Sequence, residues 1–348
     1  MIATYKILVL RSGALGDCVI SFPALRLLRE RFPVAEISIL GDPYSAPIFQ
    51  GTPYHDRLEL LAHRSSLPRY IWRLLQLRKE RFDLILDFQA CGRSRVQTVL
   101  IGAQRRIGFD KGHFLANVPY TDLVPFNRSV HAARRVAGIL EPLGVEVDSA
   151  ELHSDSGLDP QHQAAATKLL RDSGVKGPYA MLQVTGADRH DNRLWPADRF
   201  AAVAEHISRQ GMSVVIASRA NEPAVNQVIK GSSCPVYNIS GATGLPVLAS
   251  VMGGASLYVG YNTGPMHIAA WLDTPIVALF DRPNDDVEWF PLTAAPSRVV
   301  KARTVPEPPG WRLDTVPTDE VVQAVDKVLA EASLNTRPLN AHVVGGKG

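Results

Sequence analysis

Short runs of leucine and β-branched residues alternate with stretches of helical periodicity along most of this chain, and they do so twice. In the first half, residues 6–11 (KILVLR), 36–41 (EISILG) and 83–88 (DLILDF) read as strands. Helical spacing follows through Leu25, Leu27 and Leu28, and again through Val96 to Ile101. The second half repeats the style, with strands at 179–184, 213–218, near Val236, 256–261 and 276–280. Its helices are expected around 200–207, 222–230, 245–251 and 265–272. Apolar strands alternating with helices signal βαβ units, whose parallel sheets are buried on both faces. A chain of 348 residues has room for two such sheets, each with its own core. We therefore expect an α/β protein with two Rossmann-like domains, over 1–155 and 175–318. A polar linker near 148–178, with a helix at about 160–173, joins them. A last helix over 319–333 is read from the spacing of Val321, Val322, Val325, Val328 and Leu329. Residues 334–348 show no pattern and read as a flexible tail.

Composition narrows the function classes. Three cysteines, Cys18, Cys91 and Cys234, form no C-x-x-C pair, so neither a disulfide framework nor a zinc site is indicated. The apolar run Ile7–Leu10 is too short for a signal-peptide core, and no stretch approaches a membrane span. A cytoplasmic protein is expected, with any membrane contact peripheral. The net charge of +3 is unevenly placed: residues 1–150 hold 20 Lys and Arg against 14 Asp and Glu, and the remainder holds 17 against 20. A basic first half suits an acidic partner, whether nucleic acid, anionic lipid or acidic saccharide, although a solvated surface has the same composition.

Ligands of open α/β sheets bind outside the carboxyl ends of the strands. Five segments in such places stand out. RSGALGD follows the first strand. Gly13 and Gly16 permit a tight turn and close approach, but the G-x-x-G spacing is neither the dinucleotide fingerprint nor a P-loop. Asp17 there is either a general base or the cap of the next helix. Cys18 beside it reads as a buried filler. YNTGPMH follows strand 256–261, and the helix opening at Asn262, Thr263 and Gly264 offers free N–H groups to an anion such as a diphosphate. His267, one turn in, either contacts the ligand or packs. The loop GADRHDNRLWP carries Arg189, His190 and Arg193, which can neutralise a phosphate or simply face solvent. Glu222, after strand 213–218, suits ribose hydroxyls or a helix cap. Residues 66–82 form a basic amphipathic helix with Arg69 and Arg73, fit for an anionic surface or for an ordinary solvated face.

Taken together these segments resemble glycosyltransferase family 9, the bacterial ADP-heptose:lipopolysaccharide heptosyltransferases. The resemblance is carried by KILVLRSGALGDCVISFPALRLLRERFP, LDFQACGRSRVQTVLIGAQRRIGFD, NRLWPADRFAAVAEHI and SGATGLPVLASVMGGASLYVGYNTGPMHIAAWLDTPIVALF. It implies a GT-B fold, two Rossmann-like domains facing across a cleft, with a C-terminal helix packing back on the first. It also implies inverting, metal-independent transfer from a nucleotide sugar, with no cofactor. Asp17 matches the family's base. Arg193 stands where a phosphate-binding Lys is usual, and Glu222 matches a ribose-binding Glu. Asn262, Thr263, Gly264 and His267 complete the expected donor site; Gly13, Gln89, Arg69 and Arg73 are assigned to the acceptor. The implied partners are ADP-heptose and an acidic glycolipid at the inner membrane leaflet, not nucleic acid. Three departures surround the donor pocket: Asn262 replaces the usual Asp, Asp281-Arg282-Pro283 replaces Gly-Pro-Thr, and Ser218-Arg219 replaces Gly-Gly. They point to a possible change of sugar or base. A non-catalytic nucleotide-sugar-binding protein of the same fold is the alternative, which the presence of Asp17 disfavours. An oxidoreductase is disfavoured by the missing G-x-G-x-x-G.

Overall fold

A computed structural model describes residues 4–50, 52–62, 66–147, 152, 158–186, 194–282, 285–306 and 309–334. The first half runs β1 (Lys6–Leu10), α1 (Leu15–Ile20), α2 (Phe22–Arg31), β2 (Glu36–Gly41), β3 (Arg57–Leu60), α3 (Leu67–Arg78), β4 (Leu84–Asp87), α4 (Gly92–Ile101), β5 (Arg105–Asp110), α5 (Phe114–Asn117), β6 (Asp122–Pro125) and α6 (Ala132–Ala137). Its six strands form a parallel sheet in the order β3-β2-β1-β4-β5-β6. Ile7, Leu8, Val9 and Leu10 are all fully buried, because helices cover both faces. Alternation sorts them. Ile7 and Val9 join the core under α1 and α2, while Leu8 and Leu10 join the core under α3.

The second half runs α7 (Pro160–Asp172), β7 (Tyr179–Gln183), α8 (Ala197–Arg209), β8 (Ser213–Ile216), α9 (Pro223–Gly231), β9 (Val236–Asn238), α10 (Leu245–Gly253), β10 (Leu257–Tyr261), α11 (Gly264–Trp271), β11 (Ile276–Phe280), α12 (Asp285–Glu288), β12 (Ser297–Lys301), the hairpin β13 (Arg303–Pro306) and β14 (Pro309–Arg312), and α13 (Thr318–Leu334). Its parallel sheet has the order β12-β11-β10-β7-β8-β9, the same topology as the first. The strand order of each sheet thus reverses once, between β1 and β4 and between β7 and β10. Strands β3, β5, β6 and β12 were not expected from the sequence. β3, β6 and β12 are edge strands and β5 lies next to an edge; all four carry charged residues, with too little apolar content to announce themselves.

The two halves touch. The amino end of α1 packs on that of α11, so the carboxyl edges of the sheets face each other. Phe22 meets Trp271 edge-on at 4.5 Å between ring centroids. One apolar core runs continuously from Phe22 and Leu25 to Met266 and Trp271. One expectation is corrected here: α13 does not pack on the first half. It lies against α8, β11 and β12. Val321, Val325 and Val328 are fully buried in the second core with Phe200 and Ile207. His206 on α8 and Gln210, which caps its carboxyl end, both reach Asp326, at 2.7 Å, fixing the same face. The expected tail from 335 onward lies outside the described residues, as does most of the linker segment 148–157.

Candidate functional site

Asp17 stands in the first turn of α1, directly after β1. The choice between cap and open carboxylate resolves as both. Its Oδ2 accepts from the Ala14 amide at 3.2 Å, yet the side chain stays 29% exposed. Arg11, at the end of β1 and itself buried, braces the turn. Its Nε donates to the Asp17 carbonyl at 2.7 Å and its Nη1 to the Phe88 carbonyl at 2.7 Å. The guanidinium lies 3.5 Å from Asp17 Oδ1. This arginine ties the loop after β1 to the loop after β4, and sequence reading passed over it because it looked like the last residue of a strand. Gly13 lies between these loops: a Cβ there would fall 2.9 Å from Asp17 Oδ2 and 3.1 Å from Gln89 Nε2. Gln89 is thereby placed beside Asp17, and its Oε1 is buried without a hydrogen-bond partner.

Asp87 shapes the Gln89 loop. It is fully buried at the end of β4 and accepts from the amides of Gln89 (2.9 Å) and Ala90 (3.0 Å), from Ser94 Oγ (2.6 Å) and from the Tyr120 hydroxyl (2.5 Å). Burial pushes its carboxyl above the usual range, with these bonds acting the other way. Asp87 was read only as part of a strand. A polar residue ending the apolar run of β4 was the available signal.

From the second half, the switch-point helix α11 is brought to α1. The Cβ of Leu15 lies 2.6 Å from where a Cβ on Gly264 would sit, and a Cβ on Gly16 would fall 2.8 Å from the His267 ring. Only residues without side chains allow this approach. The expected free amides are fewer than the sequence suggested. The Thr263 N–H donates to the Tyr261 carbonyl at 2.8 Å and that of Asn262 to the Leu279 carbonyl at 3.1 Å. Among the described residues, the amide of Gly264 is left without an acceptor at this helix end. Thr263 is the N-cap, but its hydroxyl makes no cap bond. His267 is 6% exposed, wedged between Gly16 and Trp289, whose ring centroid lies 6.1 Å away. Burial first, and the His131 charge second, push its pKa down to about 3, so the ring is neutral. In this arrangement it packs the domain contact.

Glu222 is the N-cap residue of α9, and its side chain makes no cap bond, leaving the carboxylate available after β8. Nearby, Thr185 Oγ1 and Ser218 Oγ lie 2.7 Å apart, joining the loops after β7 and β8; Ser218 is one of the departures named around the donor pocket, whereas Thr185 was not singled out from the sequence. Arg193, Arg189 and His190 lie outside the described residues. Arg73 is committed to Glu59 in an ion pair, and Arg69 is exposed near the start of α3; no contact brings either to Asp17. Among the described residues, no group of three or more His, Cys, Asp or Glu could hold a metal.

Residues 71–307 match the family model of Glycosyltransferase family 9 (heptosyltransferase). The chain belongs to glycosyltransferase family 9. It is therefore a glycosyltransferase with the GT-B fold, in which two Rossmann-like domains face across a cleft. Lipopolysaccharide heptosyltransferase 3 of Escherichia coli is 25% identical over 340 residues, covering 92% of this chain and 98% of that protein. Among solved structures, a family 9 glycosyltransferase from Veillonella parvula superposes with a TM-score of 0.83 at 23% identity, covering 95% of this chain and 99% of that one. The ADP-heptose lps heptosyltransferase II of E. coli superposes with a TM-score of 0.78 at 18% identity, covering 94% and 99%. The family match includes both switch-point loops of the second domain and leaves out the Asp17 turn, which lies before residue 71.

Proposed function

We propose that this family 9 glycosyltransferase moves heptose from ADP-heptose onto the acidic core of a lipopolysaccharide or related surface glycolipid, with Asp17 as general base. The observation that carries the site assignment is the meeting of α1 and α11. It sets the half-open Asp17 carboxylate of one domain beside the amino end of a helix from the other. The names of the relatives support the donor and acceptor classes. In this reading residues 1–155 bind the acceptor and 175–318 the donor, and the chain works at the inner face of the bacterial inner membrane. Among the described residues, no helix is long and apolar enough to cross a membrane.

The acceptor hydroxyl gives its proton to Asp17, and its oxygen attacks the anomeric carbon opposite the leaving diphosphate. The carbon–oxygen bond to the diphosphate breaks, and its electron pair leaves with the nucleoside diphosphate. Charge developing there meets the Gly264 amide, the positive end of α11, the Thr263 hydroxyl and Arg193. Glu222 takes the ribose hydroxyls, Asn262 faces the sugar, and Gln89 beside Gly13 orients the acceptor. His267 supports the site by holding α1 to α11. A second reading keeps the reaction and changes the sugar, because Asn262 stands where the family usually has Asp.

The test is release of nucleoside diphosphate from ADP-heptose by wild type and Asp17→Asn in the presence of lipopolysaccharide acceptor. Loss of a general base lowers turnover by about 10²–10⁴. Thermal stabilisation by the donor, about 2.7 kcal/mol at 100 times its dissociation constant, should survive. Equal turnover would remove Asp17 as base. Stabilisation by another sugar nucleotide but not by ADP-heptose would favour the second reading.

A further inference from the structure

We infer that the outer surface formed by α3, α4 and α5 docks the enzyme on an anionic lipid bilayer. This deepens the proposed function and rests on its glycolipid acceptor for its purpose. The three helices share one face of the first sheet. Leu74 and Leu77 of α3 and Ile101 of α4 cover the same core as Leu8, Leu10 and Ile85. Gln97 on α4 donates to the Tyr70 hydroxyl on α3 at 2.9 Å, so the helices lie side by side. The segment after α5 folds onto this face as well. Tyr120 lies over Gly108, on the side of β5 opposite Ile107 and Phe109.

What these helices show to solvent is unusual for a monomer. Phe114 and Leu115, adjacent on α5, are 82% and 83% exposed. Leu67 and Trp72 on α3 and Val96 and Val99 on α4 are also exposed. Isolated apolar side chains on a surface need no explanation, but a set on neighbouring elements does. Residues 67–78 and 92–101 contain five arginines and no Asp or Glu. Carboxylates at the margins are already engaged: Glu59 with Arg57 and Arg73, Glu80 with Lys6 and Arg57, and Asp110 with the Gly112 amide and Asn117. Arg69 and Arg93 have no ion-pair partner among the described residues. A surface of exposed aromatic and aliphatic side chains, cations and no free carboxylate is complementary to anionic headgroups over hydrocarbon.

Position adds a reason. The amino ends of α3 and α4, and α5, follow β3, β4 and β5, so they lie at the carboxyl edge of the sheet, where Asp17 and Gln89 also lie. A bilayer on this face would present a glycolipid headgroup to the acceptor side of the cleft.

Vesicle sedimentation tests the inference without donor or acceptor sugar, so its outcome is separate from that of the transferase reading. Vesicles of phosphatidylcholine alone are compared with vesicles containing about 30% phosphatidylglycerol. Wild type should pellet with the anionic vesicles and be released by salt. The double variant Phe114→Ser, Leu115→Ser and the variant Arg93→Glu should each lower the partition coefficient roughly tenfold. Both should keep wild-type melting temperatures and donor turnover. Wild type remaining in the supernatant with both vesicle types would overturn the inference. So would variants that pellet like wild type, or a wild-type dimer in solution that these variants dissociate.

Discussion

At the scale of single residues, the site is built by what glycines leave out and what one arginine holds. Gly16 lets the His267 ring approach, and Gly13 leaves room for Gln89 and Asp17 together. Gly16→Ala should therefore separate α1 from α11, lowering transfer while each domain stays folded; a melting curve beside a turnover assay checks it. Arg11→Lys keeps the charge but cannot span the carbonyls of Asp17 and Phe88. It should cost turnover more than donor affinity, since the loops proposed to bind the donor belong to the other domain. Glu222→Ala should do the reverse, raising the KM for the donor about tenfold or less with kcat little changed, as loss of one charged hydrogen bond implies. A kcat loss without a KM change would remove Glu222 from ribose binding.

At the scale of elements, buried stripes decide where a helix goes. The valine spacing of α13 announced a helix, and its partner is the apolar face of α8 and β11. Val325→Ala removes two fully buried methyl groups and should destabilise the fold by about 1–3 kcal/mol, readable in urea unfolding. The same logic separates the two faces of the first sheet. One core face is covered by α1, α2 and α6; the other carries α3 and α4, whose outer sides are left apolar and basic.

At the scale of the whole molecule, the domain contact contains two neutral histidines and an ion pair. His131 Nε2 donates to the Phe290 carbonyl across the interface at 3.0 Å, and its Nδ1 accepts from the Ala133 amide. Burial, aided by the Arg135 charge and opposed by the Phe290 carbonyl and Glu288, brings its pKa down to about 4. Arg135 and Glu288 pair at 2.6 Å with both side chains largely buried. Breaking such a pair by Glu288→Gln should cost about 3–5 kcal/mol or less, measured by calorimetry. The histidines set a pH dependence. Unfolded histidine takes a proton near pH 6.5, whereas folded His131 and His267 resist until about 4 and about 3. Between those values the unfolded chain binds more protons, so stability falls as pH drops from 6.5 toward 4, and is full above 6.5. The slope is at most about 1.4 kcal/mol per pH unit for each histidine. His131→Gln should flatten the acid side of a melting-temperature profile; an unchanged profile would place the effect elsewhere.

The sequence by itself determined the two parallel sheets, the switch-point loops and the family. These follow from local patterns: apolar runs buried on both faces, and glycines where backbone must come close to a partner. Asp17, Thr263 and Gly264 stood out as candidates because they follow such runs directly. Arg11, Asp87 and the Arg135–Glu288 pair were not, because each acts through a residue distant in the chain, and a charge that is buried only after folding looks like any other charge in sequence. The resemblance placed α13 on the first domain; burial of its valines against α8 placed it on the second. Only the tertiary structure decided which amides of the 262–264 turn remain for a ligand, and that His267 packs between domains. Hydrogen-bond partners and burial are properties of the assembled chain, and no stretch of sequence holds them alone.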